Sequence, residues 1–319
     1  GGNDANDYFG YSVAISNEGD FVVGSRFYSD DHSAGGNVRV FNFNDGTGRW
    51  DDTADLPSRQ DNEQWGWDVS ITRDGEFLAG SAVTHSYTEG PNSAGIVRVY
   101  RKNNDSWASC SSITYPGSNG SAEFGTAIAI AKGDVNGTPS VLVAVSAAKD
   151  NPNDVEFAGS VWVYKTNADC SVPWTLMGES LIGTHFDDNF GSSLDLSTST
   201  QGIFLAVGAV KHENENDVED AGLAQVFEFV NDAWVQKGST KYGEQTQQYL
   251  GASINIVGDR LAIGSSQFDI GNGYINQGKV DVYQFYGDWK PAIAPLQEDQ
   301  ANSFLGSSLA FDGTHLIAG

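Results

Sequence analysis

The sequence predicts an all-β chain, a β-propeller of four-stranded antiparallel blades, on three observations. A six-fold internal repeat runs the length of its 319 residues. Each repeat breaks into short runs in which apolar residues alternate with small or polar ones, the period of a β-strand. Gly, Asn and Asp separate the runs, and no stretch carries sustained helical periodicity. Four strands in every 55 to 66 residues describe one blade. A β-sandwich, the competing all-β architecture, does not account for a repeat of that length.

The repeat opens on an aromatic residue or leucine followed by glycine: Phe9-Gly10, Trp65-Gly66, Phe124-Gly125, Phe190-Gly191, Leu250-Gly251 and Leu305-Gly306. These glycines lie 56, 59, 66, 60 and 55 residues apart. Each anchor leads into an innermost strand: YSVAIS, WDVSIT, TAIAIA, SSLDLS, ASINIV and SSLAFD. Its small face set against a bulky one suits the taper where neighbouring blades pack. A second apolar run follows and closes at Gly24, Gly80, Ser146, Gly208, Gly264 and Gly319. The third strand is led by glycine in five repeats: GNVRVFNF, GIVRVYRK, GSVWVYKT, GLAQVFEF and GKVDVYQF. The fourth carries Trp50, Trp107, Trp174, Trp234 or Trp289, and the next anchor glycine comes 16, 18, 17, 17 and 17 residues later. The sixth repeat reaches Gly319 after its second strand. The expectation is one propeller domain over 1–319 with five full blades and a partial sixth, starting near residues 10, 66, 125, 191, 251 and 306. The missing strands are expected from later residues of a longer polypeptide or from another segment.

These motifs resemble the FG-GAP repeat family, best known from the N-terminal propellers of integrin α subunits. The resemblance rests on the FG-like anchors, on Gly24-Ser25, Gly80-Ser81, Gly208-Ala209 and Gly264-Ser265, and on the G-x-V-x-V-Y that follows. It implies a propeller, commonly seven-bladed, on secreted or cell-surface proteins that bind other macromolecules. It also implies calcium in the hairpin between strands one and two, in a loop of the form D-x-[DN]-x-D-G-x-x-D, where several oxygens converge on a hard cation. Here that hairpin reads NEGD, RDGE, GD or DG except in the third repeat, Gly133 to Ser140. Only Asp134 and Asn136 match ligand positions, so these two are the candidate calcium ligands and no cofactor is expected to be required.

Composition bounds the function. The chain has 17 Lys and Arg against 42 Asp and Glu, a net charge of -25, which repels nucleic-acid backbones. No apolar run has the roughly 18 residues of a membrane helix, so no membrane insertion is expected. The loops assigned to one face, between strands two and three and between strand four and the next anchor, hold 22 of the 42 acids and 5 of the 17 bases. Glu213, Glu215, Asp217, Glu219 and Asp220 are its densest cluster. It reads either as a docking face for a basic partner or cation, or as a solvated acidic surface. Asn104, Asn119 and Asn136 stand in N-x-S/T triplets and are candidate glycosylation sites. Cys110 and Cys170 lie near Trp107 and Trp174 on the outer edges of adjacent blades, either bridged in an oxidising compartment or free. His32, His85, His185, His212 and His315 read as solvated loop residues without metal-ligand spacing. Asp68 and Asp195, acids on innermost strands, read as bonded to backbone or water rather than as a carboxylate pair for glycoside chemistry. The function these observations predict is non-enzymatic: an extracellular recognition or structural module of an adhesion protein, matrix or filament, binding protein or glycan at its acidic loops. A lectin-like propeller using Tyr28, Tyr87 and Tyr274 is the alternative, and a propeller hydrolase the third reading.

Overall fold

The computed structural model describes residues 8–16, 21–26 (backbone only), 35–104, 106–271, 273 and 275–319. The fold is a β-propeller of repeated antiparallel blades. The first sheet runs in the order β1 (Val13–Ile15), β2 (Phe21–Arg26), β3 (Asn37–Asn44), β4 (Arg49–Pro57). The second is β5 (Trp65–Ile71), β6 (Phe77–Ala82), β7 (Ile96–Asn103), β8 (Ser106–Ser109), with β9 (Ile113–Thr114) also on β7. The third contains β10 (Phe124–Val135), β11 (Thr138–Ala147), β12 (Ser160–Asn167), β13 (Thr175–Leu176) and β14 (Leu181–Ile182). The fourth runs β15 (Phe190–Ser199), β16 (Gly202–Ala209), β17 (Leu223–Val230), β18 (Ala233–Gln236), with β19 (Lys241–Tyr242) on β17. The fifth runs β20 (Leu250–Val257), β21 (Arg260–Ser265), β22 (Lys279–Phe285), β23 (Trp289–Pro291), with β24 (Leu296–Gln297) on β22. A hairpin of β25 (Leu309–Phe311) and β26 (Leu316–Ala318) follows. β5, β10, β15 and β20 each begin at the residue before their anchor glycine, whereas β1 and β25 begin three residues after Gly10 and Gly306.

The chain forms two compact units, residues 1–150 with 163–176 and residues 151–162 with 177–319. In the first, Val38, Val40, Val69, Ile71 and Leu78 bury themselves around Trp65, joining the first two sheets. In the second, Phe204, Ile254, Ile256, Leu261, Ile263 and Trp289 do the same for the fourth and fifth. Burying one such side chain is worth about 1.5–3 kcal/mol.

The repeat motifs mark the seams between blades. Between the fourth and fifth sheets, the Leu250 N–H donates to Ala221 O at 3.0 Å. Leu250 also forms a parallel bridge with Gly222. Gly222 has φ +84°, and a Cβ there would lie 2.3 Å from Leu250 O. Gly251 has φ +90°, and its Cβ would meet Leu223 O at 2.6 Å. A Cβ on Gly208 would meet Gly251 O at 2.3 Å. The anchor glycine, the glycine closing the second strand and the glycine leading the third thus meet at one point, where no side chain fits. A register shift between Leu250 and Ser253 bends the inner strand into this contact.

The fourth-strand tryptophans fasten the other end of the seam. The fourth strand is broken, as between β8 and β9 or β18 and β19, and the break frees a carbonyl. The Trp174 indole N–H donates to Ser111 O at 2.6 Å, Trp234 to Met177 O at 2.8 Å and Trp289 to Lys237 O at 2.8 Å. Each acceptor lies three or four residues after the preceding blade's tryptophan: Ser111 after Trp107, Met177 after Trp174 and Lys237 after Trp234. Beside it, Cys110 and Cys170 form a disulfide with Cα atoms 5.8 Å apart.

Two outcomes follow from these seams. Gly222→Ala should destabilise the protein by at least about 2 kcal/mol more than Gly287→Ala in chemical denaturation. Both positions have positive φ, but Gly287 has open space around it. Equal costs would refute the close-approach argument. The disulfide spans 60 residues, a loop whose closure contributes about 4 kcal/mol on the chain-entropy account. Reduction should therefore lower the melting temperature by several degrees in calorimetry.

Candidate functional site

The densest acidic loop, between β16 and β17, is organised by residues that the acidic pattern does not reveal. Asn214 is buried; its Oδ1 accepts the N–H groups of Asn216 and Val218, and its amide donates to Gly243 O at 2.8 Å. The loop is thereby pinned, and Glu213, Glu215, Asp217 and Glu219 stand exposed around it. Asp220 is half-buried; burial raises its pKa, the nearby Lys211 opposes that, and Glu219 and Asp187 add to it.

Beneath the loop lies a cavity of about 820 Å³, lined among others by His185, Phe186, Asp188, His212, Gln225 and Tyr242, with Glu213, Glu215 and Asp217 at its edge. Phe186 is 68% and Tyr242 40% exposed. His212 is buried, and its Nδ1 lies 2.9 Å from Asp188 Oδ1. Asp188, also buried, uses Oδ2 to accept the N–H groups of Thr184 at 3.4 Å and His185 at 3.0 Å. The His185 ring is exposed and stands edge-on to His212 with centroids 5.2 Å apart. His185, Asp188 and His212 can each offer a ligand atom, and these atoms lie within 4.8 Å of one another.

The second blade builds the same corner differently. Glu63 stands three residues before its anchor glycine, as Asp188 does before Gly191. Its carboxylate takes a bidentate pair from Arg98 at 2.9 and 2.6 Å, and His85 Nδ1 lies at 3.0 Å. Burial raises the Glu63 pKa, but hydrogen bonds from His85 and Arg98, the Arg98 charge and the Arg59 N–H outweigh it and bring the pKa to about 2. Arg98 in turn lies 4.8 Å over the Trp65 ring. In the fifth blade the equivalent Gln248 is neutral and donates to Ser265.

Comparison with known proteins agrees with this architecture. The sequence profile of the FG-GAP repeat matches residues 2–41. That segment is similar to an FG-GAP repeat. Among solved structures, the chain is similar to Sqt1 from Saccharomyces cerevisiae, a WD40 β-propeller, with a TM-score of 0.56 and 14% identity over 96% of this chain and 67% of that one. At that identity the likeness concerns the fold. No curated protein matches the chain.

The FG-GAP calcium position is a tight hairpin here. The β10–β11 ladder continues to Val135↔Thr138, which leaves Asn136-Gly137 as a two-residue turn with φ of 53° and 82°. Asp134 Oδ1 accepts the Gly137 N–H at 2.6 Å, so the third repeat has longer strands rather than a loop converging on a cation. The first-repeat hairpin NEGD lies outside the described residues.

Of the glycosylation candidates, Asn104 and Asn136 are exposed in turns. Asn119 is half-buried and its amide donates to Asp150 at 3.2 Å, a bond that a glycan on that nitrogen would break. Two of the histidines expected in solvent, His85 and His212, are instead buried, because each meets the acidic residue that precedes its blade's anchor. His315 is exposed, and His32 lies outside the described residues. Tyr87, expected as an exposed stacking surface, is half-buried; its hydroxyl donates to Gly95 O and accepts the Tyr115 N–H. Tyr28 and Tyr274 lie outside the described residues.

Asp68 and Asp195 serve the next blade's inner strand. Asp68 accepts the Ile128 N–H at 2.8 Å and the Ser12 hydroxyl at 2.8 Å. Asp195 accepts the Ile256 N–H at 2.7 Å and the Asn255 amide at 2.9 Å. Burial pushes the Asp68 pKa up to about 6, against the bonds from Ile128, Ser12 and Val69.

Repeat alignment carries a signal for the cavity. Glu63, Asp188 and Gln248 each stand three residues before an anchor glycine, and Arg98 and Gln225 each stand three after the glycine leading the third strand. Charge counting alone does not separate these buried positions from exposed ones.

The Glu63 corner gives a pH test. Because its folded pKa lies below the ordinary 4.5, its contribution is complete above about pH 4.5 and disappears as pH falls toward 2. Glu63→Gln should cost about 3 kcal/mol at neutral pH, since it strands a buried guanidinium. The gap between variant and native protein should close below pH 4 in urea melts followed across pH; a gap independent of pH would refute the assignment.

Proposed function

We propose that the protein is a non-enzymatic extracellular recognition module that docks a basic, protein-borne segment at the acidic loop and cavity of the fourth blade. One observation carries the reading. Exposed Phe186 and Tyr242 stand in a cavity edged by Glu213, Glu215 and Asp217. Aromatic faces beside carboxylates suit a Lys or Arg side chain, which gains a cation–π contact and a charge-assisted hydrogen bond together. The propeller fold favours protein–protein interaction in general, and the net charge of -25 steers basic partners toward it. The disulfide suits an oxidising compartment. Among the described residues no helix is long and apolar enough to cross a membrane. The non-enzymatic part of the reading is supported by Asp68 and Asp195, whose carboxylates are engaged by backbone N–H groups and neighbouring side chains.

Probing the 319-residue protein against peptide and glycan arrays tests this. Lys- and Arg-rich peptides should bind, with affinity falling as salt rises. Phe186→Ala, and separately the triple variant Glu213→Gln, Glu215→Gln, Asp217→Asn, should each weaken binding by about tenfold or more, equivalent to about 1.4 kcal/mol. Binding to glycans and not to peptides would replace this reading with the lectin one. Turnover of a glycoside or phosphoester substrate would overturn the non-enzymatic assignment.

A further inference from the structure

We infer that His185, Asp188 and His212 of the fourth blade form a binding site for a divalent transition metal, with zinc as the fitting ion. The inference concerns the cavity itself and does not depend on the partner proposed above.

Three observations carry it. The donor set is two imidazoles and one carboxylate, with ligand atoms within 4.8 Å of one another. Imidazole nitrogen with carboxylate oxygen suits Zn²⁺, whereas Ca²⁺ requires six or more oxygens. Tetrahedral bonds near 2.0–2.1 Å place ligand atoms about 3.4 Å apart, so the cluster must contract somewhat. The His185 ring is exposed; its Nδ1 lies 3.0 Å from the Thr184 hydroxyl and 3.5 Å from Asp188 Oδ2, so closing on an ion requires it to exchange the hydroxyl for the metal. Asp188 and His212 are already fixed, by the backbone N–H groups of Thr184 and His185 on one carboxylate oxygen and by the 2.9 Å His212 contact on the other.

The second observation is electrostatic. Asp188 is a buried carboxylate, and such a charge needs a cation or a metal. Among the described residues, the ion-pair partners within reach of Asp188 are the two imidazoles, which carry charge only when protonated. Nearby Lys211 is paired with Asp187 at 2.8 Å instead.

The third is the comparison that the repeat itself provides. In the second blade the equivalent acid, Glu63, also has its histidine, His85, but a guanidinium supplies the positive charge. The fourth blade has Gln225 where the second has Arg98, and Gln225 lines the cavity. It also gains His185 where the second blade has Gln60, both six residues before the anchor glycine. Loss of the arginine and gain of a second imidazole occur at the same corner. A dipositive ion would take over the role of the guanidinium there. With three protein ligands its fourth position would open toward the cavity and its carboxylate edge.

The test is titration of the 319-residue protein with Zn²⁺ alone by calorimetry, and with Co²⁺ followed by its visible d–d absorption. The expected result is one ion per chain and a Co²⁺ spectrum of four-coordinate intensity, with no competition from excess Ca²⁺. His185→Ala changes an exposed side chain and should keep the fold, yet weaken Zn²⁺ binding by at least about tenfold. Gln225→Arg restores the second-blade arrangement and should remove binding while the circular dichroism spectrum stays native. No stoichiometric binding, or binding that both variants leave unchanged, would overturn the proposal. The latter result would assign the ion to the exposed acidic residues.

Discussion

The structure depends on backbone meeting backbone at the seams between blades. At the seam between the fourth and fifth blades, Gly208, Gly222 and Gly251 bring three chain segments to distances that exclude a Cβ. The close approach lets the Leu250 N–H reach Ala221 O and places the anchor side chain in the core. The second blade does the same with Gly95 against Phe124 O. Hydrophobic burial drives the sheets together without direction. The glycine contacts supply the geometry, because only one register lets the segments meet so closely. Inner-strand side chains such as Asp68, Asn255 and Ser70 then accept backbone N–H groups of the following strand, and the indole bonds fasten the outer end.

A scaffold fixed at its seams leaves the corner before each anchor open to variation. The side chain three residues ahead of the anchor glycine folds the preceding loop by accepting its N–H groups: Glu63 from Arg59, Asp188 from Thr184 and His185, Gln248 from Glu244 and Gln245. Each solution carries a different charge. The second blade closes its corner with an internal ion pair, and the fifth uses a neutral amide with a serine. The fourth keeps a buried carboxylate with two imidazoles beside an acid-rimmed cavity. Function in a repeat protein concentrates where one copy departs from its siblings, since the shared part is already accounted for by packing.

The acidic loop shows why charge alone is a poor guide to a site. Its carboxylates are exposed, and exposed acids keep a protein soluble without binding anything. What distinguishes this loop is Asn214, which holds it, and the aromatic and imidazole rings beneath it. Those side chains come from segments 183–190, 210–221 and 241–242, far apart in sequence.

The sequence by itself determined the propeller class, the four-stranded blade and the positions of the repeated motifs, because those features recur. Six anchors and a constant Trp-to-anchor spacing report one geometric requirement repeated many times, and local alternation reports which side of each strand is buried. The pairing of Cys110 with Cys170 stayed open at that level, since lying three residues after one tryptophan and four before another does not show which way the side chains point. Only the tertiary structure decided the corners. It drew Asp134 and Asn136 into a two-residue turn, buried His85 and His212, tied Tyr87 to Gly95, and set His185 beside Asp188 and His212. The His85 and His212 contacts join segments 22 and 24 residues apart, and the others are local side-chain bonds that no repeat pattern marks. A pattern read along the chain detects what repeats, whereas a site is built from what does not.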